Sequence, residues 1–322
     1  MKNNYNGLIN IYKEPGFTSN DVVAKMRGIL KMKKIGHTGT LDPEAVGVLV
    51  CCVGTGTRLV EELTDHTKEY IAVCRLGVET DTQDMTGTIL TEHGDDTIPD
   101  VTELNDAVQA FVGDYDQIPP MYSAIKVGGK KLYELAREGK EIERKPRKIH
   151  IDSISILDTS HLSDRHEFTM EVRCSKGTYI RTLCNDIGQR LGCGGAMAHL
   201  TRTAVGSFHL DTAITLGQLE KLRDEDRVDD VVVPVEDFFK DLDSVHILKN
   251  SRKLIENGNP FTLKDIADTE PTKAQDSQKK EAMYSDGTRI RVYDEDGVFF
   301  GVYKYNDKLR NFRVDKNFYT PQ

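Results

Sequence analysis

The chain has 322 residues, 36.2 kDa, 38% hydrophobic and 30% charged residues, the make-up of a globular protein with room for two domains rather than a fibre or a disordered tail. Its longest apolar run, 45–53, is broken by Gly47 and falls short of the roughly 20 residues a bilayer crossing needs, and Met1–Gly7 has no apolar stretch of the signal-peptide kind. A cytoplasmic protein without a membrane is expected, with its six cysteines reduced because none form C-x-x-C pairs. The formal charge of −9 speaks against a polyanionic partner, but only if the charge is evenly spread.

In chain order, Gly7–Tyr12 alternates weakly and meets Pro15-Gly16, a strand running into a turn. Thr18 to Asp21 supplies helix caps before Val22–Leu30, apolar at helical spacing. Residues 36–43 read as a loop, 46–53 as a buried strand or short buried helix, and 56–63 as a helix. Tyr70–Gly77 is a strand, 80–87 turn-rich, 88–91 a strand and 104–111 a helix. The paired prolines of Gln117-Ile-Pro-Pro exclude helix there. A short helix over 132–139, strands over 146–157 and 168–174, an amphipathic helix over 178–191 closed by Gly192, and a strand over 204–210 follow. Residues 211–245 read as an acidic helical segment. Beyond it come a short helix over 251–258 and strands 289–293 and 298–305 around an Asp-Glu-Asp-Gly turn. Polar residues 264–281 look like a flexible insertion. Without regular βαβ alternation, the expected class is α+β with a mixed sheet.

Charge is in fact segregated. Residues 121–150 hold nine bases against four acids, whereas 92–106 hold six acids and no base and 211–245 hold eleven acids against four bases. A basic face for a phosphate backbone is compatible with that sorting, as are plain solvated helix faces. Gly54-Thr-Gly-Thr-Arg-Leu59 lacks the third small residue and downstream acid of a dinucleotide site, and no Cys/His spacing suits a metal. Neither cofactor nor metal is expected. Asp42, held extended before Pro43 on a Gly-rich loop, fits a nucleophile, a base or a helix cap. Arg181 falls in the first turn of the 178–191 helix, where the dipole disfavours a cation. A carboxylate or phosphate partner, or a bare surface position, accounts for it.

Gly36-His-Thr-Gly-Thr-Leu-Asp42-Pro, Lys68-Glu-Tyr70, Leu76-Gly-Val-Glu-Thr-Asp-Thr-Gln-Asp84, Gln117-Ile-Pro-Pro-Met-Tyr-Ser-Ala-Ile-Lys126 and Lys176-Gly-Thr-Tyr-Ile-Arg181 stand in this order along the chain. With them, 7–208 resembles the TruB-type transfer-RNA pseudouridine synthases, relatives of dyskerin. Glu44, Val46 and Cys51-Cys52 depart from the family's usual residues. The resemblance implies a pseudouridine synthase core over residues 1–245 with a thumb at about 117–150. It also implies a small PUA-like RNA-binding β domain over 246–322, matched only weakly and mainly through 289–301.

The implied reaction is isomerisation of a uridine in the transfer-RNA T loop, from an N-glycoside to a C-glycoside, after extrusion of the base. Asp42 would be the essential carboxylate, attacking ribose or base or acting as base at C2′, and Arg181 would keep it ionised. Tyr70 would stack on the uracil, with Tyr179 and Leu200 as further walls and His37 supporting the loop or filling the space left behind. Lys126, Lys130 and Lys131 would grip RNA phosphates from the thumb, beside Tyr122 and Tyr133. The implied partner is the T stem-loop, and a monomer without an obligate protein partner is expected; a dyskerin-like, guide-dependent enzyme goes with a more basic chain.

Overall fold

The computed structural model describes residues 4–267 and 284–320. Its strands are β1 (Gly7–Lys13), β2 (Ile35–His37), β3 (Val46–Val53), β4 (Lys68–Leu76), β5 (Val78–Thr80), β6 (Ile89–Glu92), β7 (Gly113–Gln117), β8 (Lys126–Val127), β9 (Lys130–Lys131), β10 (Arg147–Asp158), β11 (Glu167–Cys174), β12 (Gly195–Val205), β13 (Phe208–His209), β14 (Ser244–His246), β15 (Arg289–Tyr293), β16 (Phe299–Asn306) and β17 (Asn311–Asn317). Its α-helices are α1 (Ser19–Leu30), α2 (Val60–Thr64), α3 (Val101–Gln109), α4 (Leu132–Arg137), α5 (Ile180–Leu191), α6 (Leu216–Asp224) and α7 (Arg252–Glu256).

The fold is α+β around one large mixed sheet, ordered β1-β3-β12-β4-β11-β10-β7, with β2 on β3 and β13 on β12. A second, four-stranded sheet runs β14-β15-β16-β17. Local chemistry starts the first helix as its sequence requires. Thr18 accepts from the Asp21 amide at 3.1 Å while Asp21 accepts from the Thr18 amide at 2.9 Å, a reciprocal capping box. The apolar stripe of α1 then packs with α6 on β1 and β3, and α3 and α5 cover β4, β10, β11 and β12. A third cluster joins Leu59 and Leu63 to Val302 and Phe318, so the small sheet is seated on the large one through apolar contact.

Several expectations need correcting. The strand expected over 204–210 is only the end of β12 and the short β13; the body of β12 is the central partner of β4. Two register shifts, at Met197/His199 and Arg202/Ala204, break the period-two alternation that marks a strand in sequence. Strands β7, β14 and β17 are likewise additions to the expected elements. The acidic 211–245 segment is helical only over α6, with 3-10 turns at Val228–Val231 and Val235–Phe239. Residues 56–63 divide between a 3-10 segment, Gly54–Leu59, and α2. The 36–43 loop begins inside β2, and 46–53 is a strand. Of the insertion expected at 264–281, all but 264–267 lies outside the described residues.

A split in the large sheet places the site. Strand β3 pairs with β12 only at Val46 and Gly47 and with β2 only from Cys51 to Val53. Between those contacts the sheet opens, and the loop 38–45 lies at the opening, with the Thr38 amide on the Val50 carbonyl at 3.1 Å. Gly47 is required there. Its φ is +103°, and a Cβ would stand 2.2 Å from the Arg202 carbonyl.

Candidate active site

Asp42 sits on the loop between β2 and β3, pinned from three directions. The Ser19 hydroxyl accepts the Leu41 amide at 2.9 Å, and the Gly16 amide donates to the Pro43 carbonyl at 3.0 Å. The fully buried Lys13 ammonium donates to the Pro43 and Ala45 carbonyls at 2.8 and 2.6 Å. Burial pushes Lys13 down to about 8, with Glu44 opposing from the exposed side of the loop.

Arg181, the second residue of α5, is 6% exposed and has the partner its unfavourable dipole position calls for. Its Nη2 donates to Asp42 Oδ1 at 3.2 Å and its Nε lies 3.0 Å from Asp42 Oδ2, so that two nitrogens face the two carboxylate oxygens in one ion pair. Nη1 turns the other way, to Asp84 Oδ2 and the Thr82 carbonyl, each at 3.2 Å, and Nη2 also reaches the Tyr122 carbonyl at 2.9 Å. One guanidinium therefore ties together the Asp42 loop, the 80–86 turn and the root of the 117–150 segment.

Sequence reasoning misses Asp84 as a site residue, although it closes one of the quoted motifs. Thr82 and Thr86 hydroxyls and the Thr86 amide all donate to its Oδ1. Its turn is stitched onto the β12 bulge, Met85 amide to Met197 carbonyl and Met197 amide to Gln83 carbonyl, both 3.0 Å. The need of Arg181 for counter-charge is the signal that could find it. Gln117 is missed as well. Buried beside the helix start, its amide side chain exchanges hydrogen bonds of 2.8 and 3.0 Å with both backbone groups of Tyr179.

Asp42 keeps 37% of its side chain exposed, at a cavity of about 180 Å³ lined by Asp42, Glu44, Asp84, Met85, His199 and Leu200 among others. The protein packed around the carboxyl raises its pKa. Arg181 opposes this, Asp84 adds to it, and the net direction stays upward. Arg181 alone therefore does not set its charge. A larger open groove of about 530 Å³, lined by Phe17, Lys25 and Leu216 among others, holds none of these residues.

Of the other expected site residues, Leu200 lines the cavity. Tyr70 is 8% exposed and packs in one apolar cluster with Leu41, Ala45 and Leu200, outside the cavity lining. Tyr179 is the N-cap residue of α5 and half-buried. His37 ends β2; burial and then Arg202 hold it below the ordinary histidine value, and its Nδ1 has no hydrogen-bond partner among the described residues. Lys126, Lys130 and Lys131 form the two-stranded β8–β9 ribbon. Lys130 pairs with Glu138 at 2.7 Å and Lys131 with the Tyr133 hydroxyl at 3.2 Å, while Lys126 is exposed and free of any described partner. Among the described residues no His/Cys/Asp/Glu group has the arrangement of a metal site, and no helix is long and apolar enough to cross a membrane.

Residues 27–180 match the N-terminal domain of the TruB family of pseudouridylate synthases, and residues 181–240 match the C-terminal domain of tRNA pseudouridylate synthase B. The chain is 48% identical over 317 residues to tRNA pseudouridine synthase B of Lachnoclostridium phytofermentans, covering 97% of this chain and 99% of that protein. It is 40% identical to the protein of the same name from Bacillus pumilus, covering 95% of each. Among solved structures, it resembles the crystal structure of a Cbf5-Nop10-Gar1 complex, with a TM-score of 0.67 and 25% identity over 97% of this chain and 85% of that one.

Proposed function

The chain belongs to the TruB family of pseudouridylate synthases, and from that premise we propose that it converts a uridine in the T loop of transfer RNA, at position 55, to pseudouridine, with Asp42 as the essential carboxylate. The observation that carries the reading is the paired grip of buried Arg181 on Asp42 beside a small, partly apolar cavity. The enzyme is an isomerase: the C1′–N1 glycosidic bond breaks, the uracil turns, C5 bonds to C1′, and the proton that C5 then loses is balanced by the one that N1 takes up. No group is donated and none is oxidised, so the side chains described suffice without a cofactor.

A stacked base is out of reach of Asp42, so the uridine must be extruded, at a cost of a few kcal/mol recovered from pocket and backbone contacts. In this reading Leu200 and Met85 receive the uracil, Tyr70 presents its ring and hydroxyl, and Tyr179 closes the entrance. His37, held neutral by burial, steadies the loop. Lys126, Lys130 and Lys131 meet phosphates of the T stem, and the contact from Arg181 to the Tyr122 carbonyl couples that segment to the reacting carboxylate. The four-stranded sheet, with Lys304, Lys308 and Arg313 exposed on β16, β17 and their connection, serves as a PUA-like RNA-binding unit. The protein acts alone as a monomer in the cytoplasm.

The test is incubation of the purified protein with unmodified transfer RNA, with no organic cofactor added, followed by mapping of pseudouridine. Conversion confined to the T loop is expected. Conversion elsewhere overturns the proposed target, and conversion undiminished by Asp42→Asn overturns the proposed carboxylate.

A further inference from the structure

We propose that Arg202 is a positioning residue for this reaction, whose guanidinium holds the Tyr70 side chain and the Asp42 loop in one fixed relation from beneath. The inference rests on the reading of Asp42 and Tyr70 as reacting groups. Arg202 is 1% exposed on β12 and stands directly opposite Tyr70 across the β12–β4 pairing and opposite Gly47 across the β12–β3 pairing. Residues directly opposite each other share a face. Its side chain enters the split in the sheet, where Nε donates to the Val48 carbonyl at 2.7 Å, in place of the missing ladder bond. Nη2 donates to the Gly39 carbonyl at 3.2 Å, three residues before Asp42. Gly39 itself lies in ordinary contact range of the guanidinium, since a Cβ there would stand 3.4 Å from Nη1.

Two backbone carbonyls need only neutral donors, and burying a permanent charge is costly without a carboxylate. No described carboxylate forms an ion pair with Arg202. On the face it shares, directly opposite in the β12–β4 pairing, stands Tyr70. Burial raises the Tyr70 pKa, and Arg202 is the foremost group opposing that rise. A fixed cation there favours any step in which the tyrosine oxygen gains negative character while giving up or taking up a proton. The planar fork can face the strand, the loop and the tyrosine together; a lysine head cannot.

The test compares Arg202→Lys and Arg202→Gln with the wild-type protein for transfer-RNA affinity, single-turnover rate at saturating enzyme, and the ζ-carbon NMR signal of Tyr70, identified by its loss in Tyr70→Phe. Affinity is expected to stay within about threefold, the rate to fall at least about tenfold in both variants, and the Tyr70 signal to move. A wild-type rate overturns the inference, and so does a reduced rate with an unmoved Tyr70 signal, which marks Arg202 as a brace for the sheet alone. Asp42→Asn and Tyr70→Phe, run alongside, separate the two levels: undiminished rates in those variants refute the reading of the site itself. Should neither Arg202 variant fold, the contact is read from the other side. Tyr70→Phe must then shift a slowly exchanging arginine Nε–H signal that survives in Arg181→Lys, and an unchanged spectrum overturns the inference.

Discussion

Arg181 holds Asp42 by two nitrogens, Nε to Oδ2 at 3.0 Å and Nη2 to Oδ1 at 3.2 Å, and has committed its remaining nitrogen to Asp84. The carboxylate is thus oriented by a planar group that is itself oriented by a second, more deeply buried carboxylate.

Arg181→Lys preserves the charge and removes that plane. A lysine cannot serve Asp42 in paired fashion and reach Asp84 and Tyr122 as well. The single-turnover rate should fall at least tenfold, about 1.4 kcal/mol of barrier, with transfer-RNA affinity little altered. A loss confined to binding, shrinking as salt is lowered, would instead mean that Arg181 meets a phosphate.

Asp42→Asn should abolish conversion and change how stability depends on pH. Burial holds the folded-state pKa of Asp42 above its unfolded value, so ionisation favours the unfolded chain. That penalty is absent below the unfolded value of about 4 and grows as pH rises through the folded one. The melting temperature of the asparagine variant relative to the wild type should therefore rise between pH 4 and pH 8. A difference that stays constant or falls over that range refutes the sign.

Changing Lys126, Lys130 and Lys131 together to alanine should weaken binding of all transfer RNAs and flatten the slope of log affinity against log salt, by about 0.7–0.9 for each phosphate that a lysine no longer neutralises. Lys130 and Lys140 are both engaged by Glu138, at 2.7 and 2.8 Å. Glu138→Gln should accordingly tighten binding at low salt, and an unchanged affinity would show that neither lysine meets RNA.

Phe318→Ala removes a ring only 6% exposed between the small sheet and the cluster of Leu59, Leu63 and Phe239. A loss of about 3–5 kcal/mol is expected. Glu62, on α2, also binds Arg289 at 3.0 Å across the same junction. If the two sheets melt as one unit through this junction, the variant should split a single calorimetric transition into two. A single transition at an unshifted temperature would contradict the packing role.

How far the sequence reached depended on how local each signal was. The capping box of α1, the glycine stop of α5 and the hairpin before β16 depend on neighbours three or four residues away, so their residues announce them. The ordered motifs identified the family. Arg181 was legible for a physical reason: a cation in the first turn of a helix needs compensation.

Tertiary structure decided the rest. Asp42 lies 139 positions from Arg181, Asp84 lies 97 from it, and Arg202 lies 154 from the carbonyl it caps. No local pattern encodes such distances. The two bulges of β12 hid the central strand by breaking its alternation, and the same strand carries Leu200 to the cavity and Arg202 beneath it. Which charges are buried, and so which way each pKa moves, follows from that packing: the desolvation that raises Asp42 and lowers Lys13 exists only once the split sheet closes around them.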